Sequence, residues 1–96
     1  MLYKFATTKK FRKEYENLSE DDKRLVDLVV GMLLAGKPLP EKYCDHPLKG
    51  NLKDFRDCHI KPDLVLIYGK EIDKETEEEI LIITAYRVNS HSELGL

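Results

Sequence analysis

The hydrophobic spacing of this chain changes at Gly36-Lys37-Pro38, and the change dictates the order of its elements. Before that point apolar residues recur at helical intervals. Phe11, Tyr15 and Leu18 stand at i, i+4 and i+7 among charges, one stripe of a short amphipathic helix. Leu25, Val26, Leu28, Val29, Met32 and Leu33 give a second helix a broad apolar face. Thr7 or Thr8 is placed to cap the first helix and Ser19 the second, with Asp22 completing a shortened capping box. Gly36 supplies the left-handed residue that closes the second helix, and Pro38 prevents continuation. Residues 37–51, punctuated by Pro38, Pro40, Pro47 and Gly50, read as a loop. Strand patterns follow. Leu52–Ile60 alternates imperfectly: Leu52, Cys58 and Ile60 share a face with Asp54 and Arg56, and Phe55, Asp57 and His59 share the other. Lys61-Pro62 makes a tight turn. Leu64–Tyr68 is apolar on both faces, as is Ile80–Val88, so both read as central strands. Leu2–Ala6 is a short leading strand. The order β-α-α-β-β-β predicts an α+β fold in which a helical hairpin covers one face of a mostly antiparallel sheet.

Ninety-six residues, 42% hydrophobic and 35% charged, suit a single soluble domain over residues 1–96 with a modest core. The longest strongly apolar stretch, Ile80–Ala85 interrupted by Thr84, is too short to span a bilayer. Met1–Lys10 has neither a long apolar run nor a small-residue cleavage site, so the cytoplasm is the expected compartment. There Cys44 and Cys58 are expected to be reduced thiols. A net charge of −2 argues against a nucleic-acid binder only when averaged over the chain. Residues 70–79, read as a polar hairpin tip, carry −4, which leaves +2 on the rest. Residues 4–13 hold Lys4, Lys9, Lys10, Arg12 and Lys13 with no acid among them, a patch suited to a phosphate backbone.

The chain has three histidines, each expected at the edge of an element. His46 lies in the Pro-rich loop, and His59 ends a strand across a turn from Asp63. His91 lies just past the last strand, where extended-chain parity would aim it to the same side as Arg87. Gathered at strand ends, these residues suit cleavage of RNA without a metal. Imidazole, with an ordinary pKa of about 6.5, can take the proton of a 2′-OH or protonate the leaving 5′-oxygen. A guanidinium can fork onto the phosphate oxygens and stabilise a phosphorane. Cys44-x-His46 with Cys58-His59 offers zinc-type ligands, but Cys58 and His59 are strand neighbours that point to opposite faces. The same geometry excludes a thiol–imidazole dyad, and Cys58 reads as a core residue.

Four segments carry a family resemblance: Asp45-His46-Pro47-Leu48-Lys49-Gly50; Phe55-Arg56-Asp57-Cys58-His59-Ile60-Lys61-Pro62-Asp63-Leu64; Leu66-Ile67-Tyr68; and Arg87-Val88-Asn89-Ser90-His91-Ser92-Glu93-Leu94. Together they resemble the YafQ branch of the RelE/ParE toxin superfamily, bacterial mRNA interferases of type II toxin–antitoxin systems. The resemblance implies a RelE-like fold, cleavage of mRNA in the ribosomal A site with no cofactor, and a cognate antitoxin of ribbon-helix-helix type. Operator DNA would be reached only through that antitoxin. It places the catalytic set on His46, His59, Asp63, Arg87 and His91. His91 would be the proton donor and Arg87 the phosphate clamp, with Asp63 or a histidine as base. Lys4, Lys9, Lys10, Arg12 and Lys13 would contact ribosomal RNA. This chain departs from the family pattern at Asn89 in place of a glycine, in its Leu94-Gly95-Leu96 end, where the family often has an aromatic, and at Leu64, where some members have an aromatic. Asn89 is a residue that tolerates left-handed backbone. The alternatives are a ParE-like toxin that inhibits a topoisomerase by binding, and a catalytically silent antitoxin-binding module.

Overall fold

Both predicted caps form. Thr8 Oγ1 accepts the Phe11 amide at 3.0 Å, opening α1 (Lys9–Glu16), and Ser19 Oγ accepts the Asp22 amide at 3.1 Å, opening α2 (Glu20–Leu34). Gly36 takes the left-handed conformation, φ +74°, just beyond α2. The computed structural model describes residues 2–74 and 79–96. The helices pack on a five-stranded sheet made of β1 (Leu2–Thr7), β2 (His46–Pro47), β3 (Phe55–Lys61), β4 (Leu64–Asp73) and β5 (Ile80–Asn89), in the spatial order β1-β5-β4-β3-β2. Only β1–β5 is parallel. This is the expected α+β arrangement, with four short elements added.

Residues 37–51 are not all loop. Glu41–Tyr43 forms a 3-10 turn, His46–Pro47 adds the short edge strand β2, and Gly50–Leu52 forms a second 3-10 turn. Consequently β3 begins at Phe55 rather than Leu52. A one-turn helix, α3 (His91–Leu94), follows β5 directly. β4 runs on to Asp73, so the acidic stretch 70–79 begins as strand, and residues 75–78 of that predicted tip lie outside the described residues.

The core lies between helices and sheet. α2 contributes Val26, Val29 and Leu33, each at most 4% exposed, worth about 1.5–3 kcal/mol apiece. Leu25 and Leu28, counted in the broader predicted face, are exposed instead. One helix turned towards a flat sheet buries a stripe, not half its surface. The facing sheet residues are Cys58, Ile60, Leu64, Leu66, Tyr68, Leu81, Ile83, Ala85 and Val88. Alternation therefore turns Asp57, His59, Val65 and Ile67 to the opposite side. A bulge at Tyr86 shifts the register, since Ile67 pairs with Arg87 and Tyr68 with Ala85. The bulge keeps Val88 in the core and sends Arg87 and Asn89 to that other side. Among the described residues, no helix is long and apolar enough to cross a membrane.

Candidate active site

Cross-strand partners share a face, so the pairing register lays out the site. His46 pairs with Asp57, Asp57 with Ile67 and Ile67 with Arg87, one row across four strands. The adjacent row is His59, Val65 and Asn89.

His46 is delivered by a turn that the spacing of residues did not reveal. Cys44 adopts left-handed backbone, φ 49°, which reverses the chain after the 3-10 turn. Asp45 then reaches the core side, where Tyr68 Oη donates to its Oδ1 at 2.6 Å and Arg56 Nε at 3.2 Å. Burial, together with that carboxylate, pushes the Tyr68 hydroxyl far above its usual range, so it stays a donor. His46 falls on the opposite face. Its Nδ1 lies 2.7 Å from the Cys44 carbonyl and 3.0 Å from Asp57 Oδ1. Both are acceptors, so in the neutral ring Nδ1 carries the proton and Nε2, on a half-exposed side chain, holds the lone pair. The proton is aligned with the Cys44 oxygen. Among the described residues Asp57 Oδ1 meets no hydrogen-bond donor, in a residue only 3% exposed. Burial raises the Asp57 carboxyl above its usual range, and nearby His46, His59 and His91 draw it back down.

His59 and His91 meet directly. Their ring centroids are 4.8 Å apart and the planes stand at 86°, edge to face. His91 is the first residue of α3, not part of an extended segment, so strand parity is not what aims it. The helix start does so: Ser90 Oγ accepts the Glu93 amide at 3.3 Å, and Asn89 Oδ1 accepts the Ser90 amide at 2.8 Å. Asn89 itself stays in β5 and does not use left-handed backbone; that conformation falls to Gly95, φ +73°.

Arg87 is engaged by a residue that sequence reasoning passed over. Its Nε and Nη2 donate to Glu14 Oε1 and Oε2 at 2.8 and 2.9 Å. Burial raises the Glu14 carboxyl, but hydrogen bonds from Arg87, Asn89 and the Val88 amide outweigh it and hold the group below the usual carboxylate range. The same contact pushes the Arg87 guanidinium up, so it is a permanent cation. The signal was present in the sequence: Glu14 stands three residues after Phe11 and four before Leu18, an acid on an apolar stripe.

The structure thus brings His59 to His91 and His46 to Asp57, with Arg87 in the row of His46. Asp63 is exposed on the β3–β4 turn, and among the described residues it has no hydrogen bond or ion pair to any histidine. Cys58 is fully buried on the other face, where burial pushes its thiol up to about 12. Lys4, Lys9, Lys10, Arg12 and Lys13 are all exposed, the last four on α1. Arg12 is tied back to Thr7, with Nη1 donating to its Oγ1 at 2.9 Å. Phe55 and Tyr86 stack beside the histidine rows with centroids 4.7 Å apart, an aromatic pair not foreseen from spacing.

Residues 3–95 match the family described as "Bacterial toxin of type II toxin-antitoxin system, YafQ". A relative named mRNA interferase toxin YafQ, from Escherichia coli strain K12, is 48% identical over 46 residues, 48% of this chain and 47% of the relative. The E. coli DinJ-YafQ toxin-antitoxin complex contains a chain 26% identical to this one, with a TM-score of 0.78 over 98% of each chain. A metal-bound toxin from Helicobacter pylori is 47% identical, with a TM-score of 0.76 over 98% of this chain and 99% of that one. By sequence along nearly its whole length, and by the fold that carries its histidines, this chain belongs to the YafQ family of type II toxin–antitoxin toxins.

Proposed function

We propose that this chain is an mRNA interferase, an endoribonuclease that cuts mRNA on the ribosome, with the 2′-OH of the RNA as nucleophile. The observation that carries the proposal is the grouping on one sheet face of the His59–His91 contact, the His46–Asp57 pair and a permanently charged Arg87. The K12 relative named mRNA interferase supports the reading. His46 is the base: with Nδ1 on the Cys44 carbonyl, Nε2 of its half-exposed ring holds the lone pair that takes the 2′-OH proton. O2′ attacks phosphorus, and Arg87 stabilises the phosphorane charge. His91, held against His59, gives its proton to the 5′-oxygen as that bond breaks. A 2′,3′-cyclic phosphate remains. Among the described residues Asp63 has no bond to the histidines, which favours His46 for the base role.

The H. pylori relative carries a metal. Among the described residues here, no three His, Cys, Asp or Glu side chains are grouped to hold one, and His46 spends Nδ1 on the Cys44 carbonyl. The expected partners are a ribbon-helix-helix-type antitoxin, the ribosome and mRNA, with operator DNA bound only through the antitoxin. The chain would act in the cytoplasm as a single domain over residues 1–96. The test is cleavage of mRNA on programmed ribosomes by purified protein, with the product ends mapped. A 2′,3′-cyclic or 3′-phosphate is expected; a 3′-hydroxyl with a 5′-phosphate would mean activated water and would overturn the mechanism.

A further inference from the structure

Beyond Thr7, β5 loses the strand beside it. The last pairing of β1 is Thr7 with Ala85, and the backbone of Tyr86–Asn89 would face outward unpaired on that edge. Thr8 closes the first part of the gap: its amide donates to the Ala85 carbonyl at 3.1 Å and its Oγ1 to the Tyr86 carbonyl at 2.6 Å. Glu14 closes the rest. Its Oε1 accepts the Val88 amide at 3.3 Å and Arg87 Nε at 2.8 Å, and its Oε2 accepts Arg87 Nη2 at 2.9 Å and Asn89 Nδ2 at 2.8 Å. A carboxylate only 12% exposed stands where a strand would be.

We propose that Glu14 is the positioning residue of this site: it holds Arg87 by the Nε–Nη2 edge, so that Nη1 is presented to the scissile phosphate. The proposal rests on the reading of the chain as an mRNA interferase with Arg87 as its clamp. Two bonds fix the plane of the guanidinium, and among the described residues Nη1 makes no hydrogen bond. A fixed cation needs no reorganisation as phosphorane charge develops, whereas a free arginine must be ordered at that moment. The same carboxylate holds Asn89, whose Oδ1 accepts the amide of Ser90, the cap of α3. Glu14 therefore sets Arg87 and the start of the His91 helix together. It also joins them to α1, which carries Lys9, Lys10 and Lys13.

The charge of Glu14 works against simple attraction of RNA, and this separates positioning from plain structural support. Glu14→Gln frees Arg87 but makes the site more positive. The cleavage rate at saturating ribosome should fall by about tenfold or more, with half-saturation unchanged or at lower concentration. The experiment compares single-turnover cleavage on programmed ribosomes by the unaltered protein, Glu14→Gln, Arg87→Ala and the double variant, below the melting temperature of each. Adding Glu14→Gln to Arg87→Ala should cost less than Glu14→Gln costs alone, the remainder being its hold on Asn89. Cleavage by Glu14→Gln at or above the original rate, a raised half-saturation with the rate kept, or a loss that adds in full to that of Arg87→Ala would overturn the proposal. If Arg87→Ala cleaves normally, the clamp reading fails and positioning fails with it. If Arg87→Ala is impaired and Glu14→Gln is not, positioning alone fails. Should Glu14→Gln not fold, Glu14→Asp keeps the charge with a shorter reach and must lie below the original rate, again with no loss of binding.

Discussion

Asp57 Oδ1 lies 3.0 Å from His46 Nδ1 and receives no hydrogen bond from it, because the ring proton is aligned with the Cys44 carbonyl. A buried carboxylate oxygen that no donor meets costs the fold desolvation. The folded protein therefore binds a proton at Asp57 more readily than the unfolded chain, whose carboxyl titrates near 3.8. Stability from this group is greatest in acid and declines as pH rises through the elevated folded value. Asp57→Asn removes that decline. Its melting temperature relative to the original protein should improve as pH rises from about 3.8 and level off once the folded carboxyl has ionised. Cleavage should fall by about tenfold, as His46 and its neighbours lose their counter-charge. Melts across pH and single-turnover rates check both. A variant with unchanged cleavage would show that Asp57 is only a structural remnant.

His91→Ala should lower cleavage by about 10²–10⁴, the usual worth of a positioned proton donor, with little change in fold. α3 starts from Ser90 and Asn89, not from the imidazole. His59→Ala should cost less, because it removes the ring against which His91 rests and not the donor itself. Expression without antitoxin and rates on purified ribosomes measure the order of the two. Equal toxicity of His91→Ala and the original would exclude His91 as the acid.

Glu14 has the opposite pH sign to Asp57. Its carboxyl is held below the ordinary 4.5 by Arg87, Asn89 and the Val88 amide, which outweigh burial. Its stabilisation is complete above that unfolded value and is lost as pH falls through the folded one. Glu14→Gln should cost about 1.5–3 kcal/mol at neutral pH, the range for charge-assisted hydrogen bonds, and the difference should shrink in acid. Denaturant melts at neutral and acid pH resolve this. A difference that does not change with pH would mean that Glu14 contributes packing rather than charge.

The order of strands and helices was legible because it rests on periodicity and caps: the Phe11, Tyr15, Leu18 stripe, the Thr8 and Ser19 caps, and Gly36 with Pro38 each specify local geometry. What stayed hidden depends on register. β2 is a two-residue strand with no pattern of its own and exists only because the left-handed Cys44 lays His46 against Asp57. The Tyr86 bulge likewise decides which face Arg87 takes. Asp57 shared a visible parity with His59, and Glu14 stood on an apolar stripe. Both were acids in positions that ask for a partner, and the partners come from distant segments.

The lysines of α1 offer a test of docking apart from chemistry. Lys9, Lys10 and Lys13 are exposed, whereas Arg12 is bonded to Thr7 and is left out of the variant for that reason. Phe11 is the residue of α1 that is buried, so neutralising the three lysines leaves its packing intact. Exposed charges contribute about 0–1 kcal/mol even when paired, so the melting temperature should hardly move. Phosphate contacts release counterions, and each one lost lowers the salt slope by about 0.9 on duplex and 0.7 on single-stranded nucleic acid. Lys9→Gln, Lys10→Gln and Lys13→Gln together should therefore weaken ribosome binding most at low salt and flatten its dependence on salt. The measurement belongs on free toxin with His91→Ala in both proteins, which keeps the message intact and leaves an antitoxin no chance to cover the same lysines. An unchanged slope and affinity would make this face of α1 a solvated surface and move ribosome contact to the sheet edge that carries Lys4.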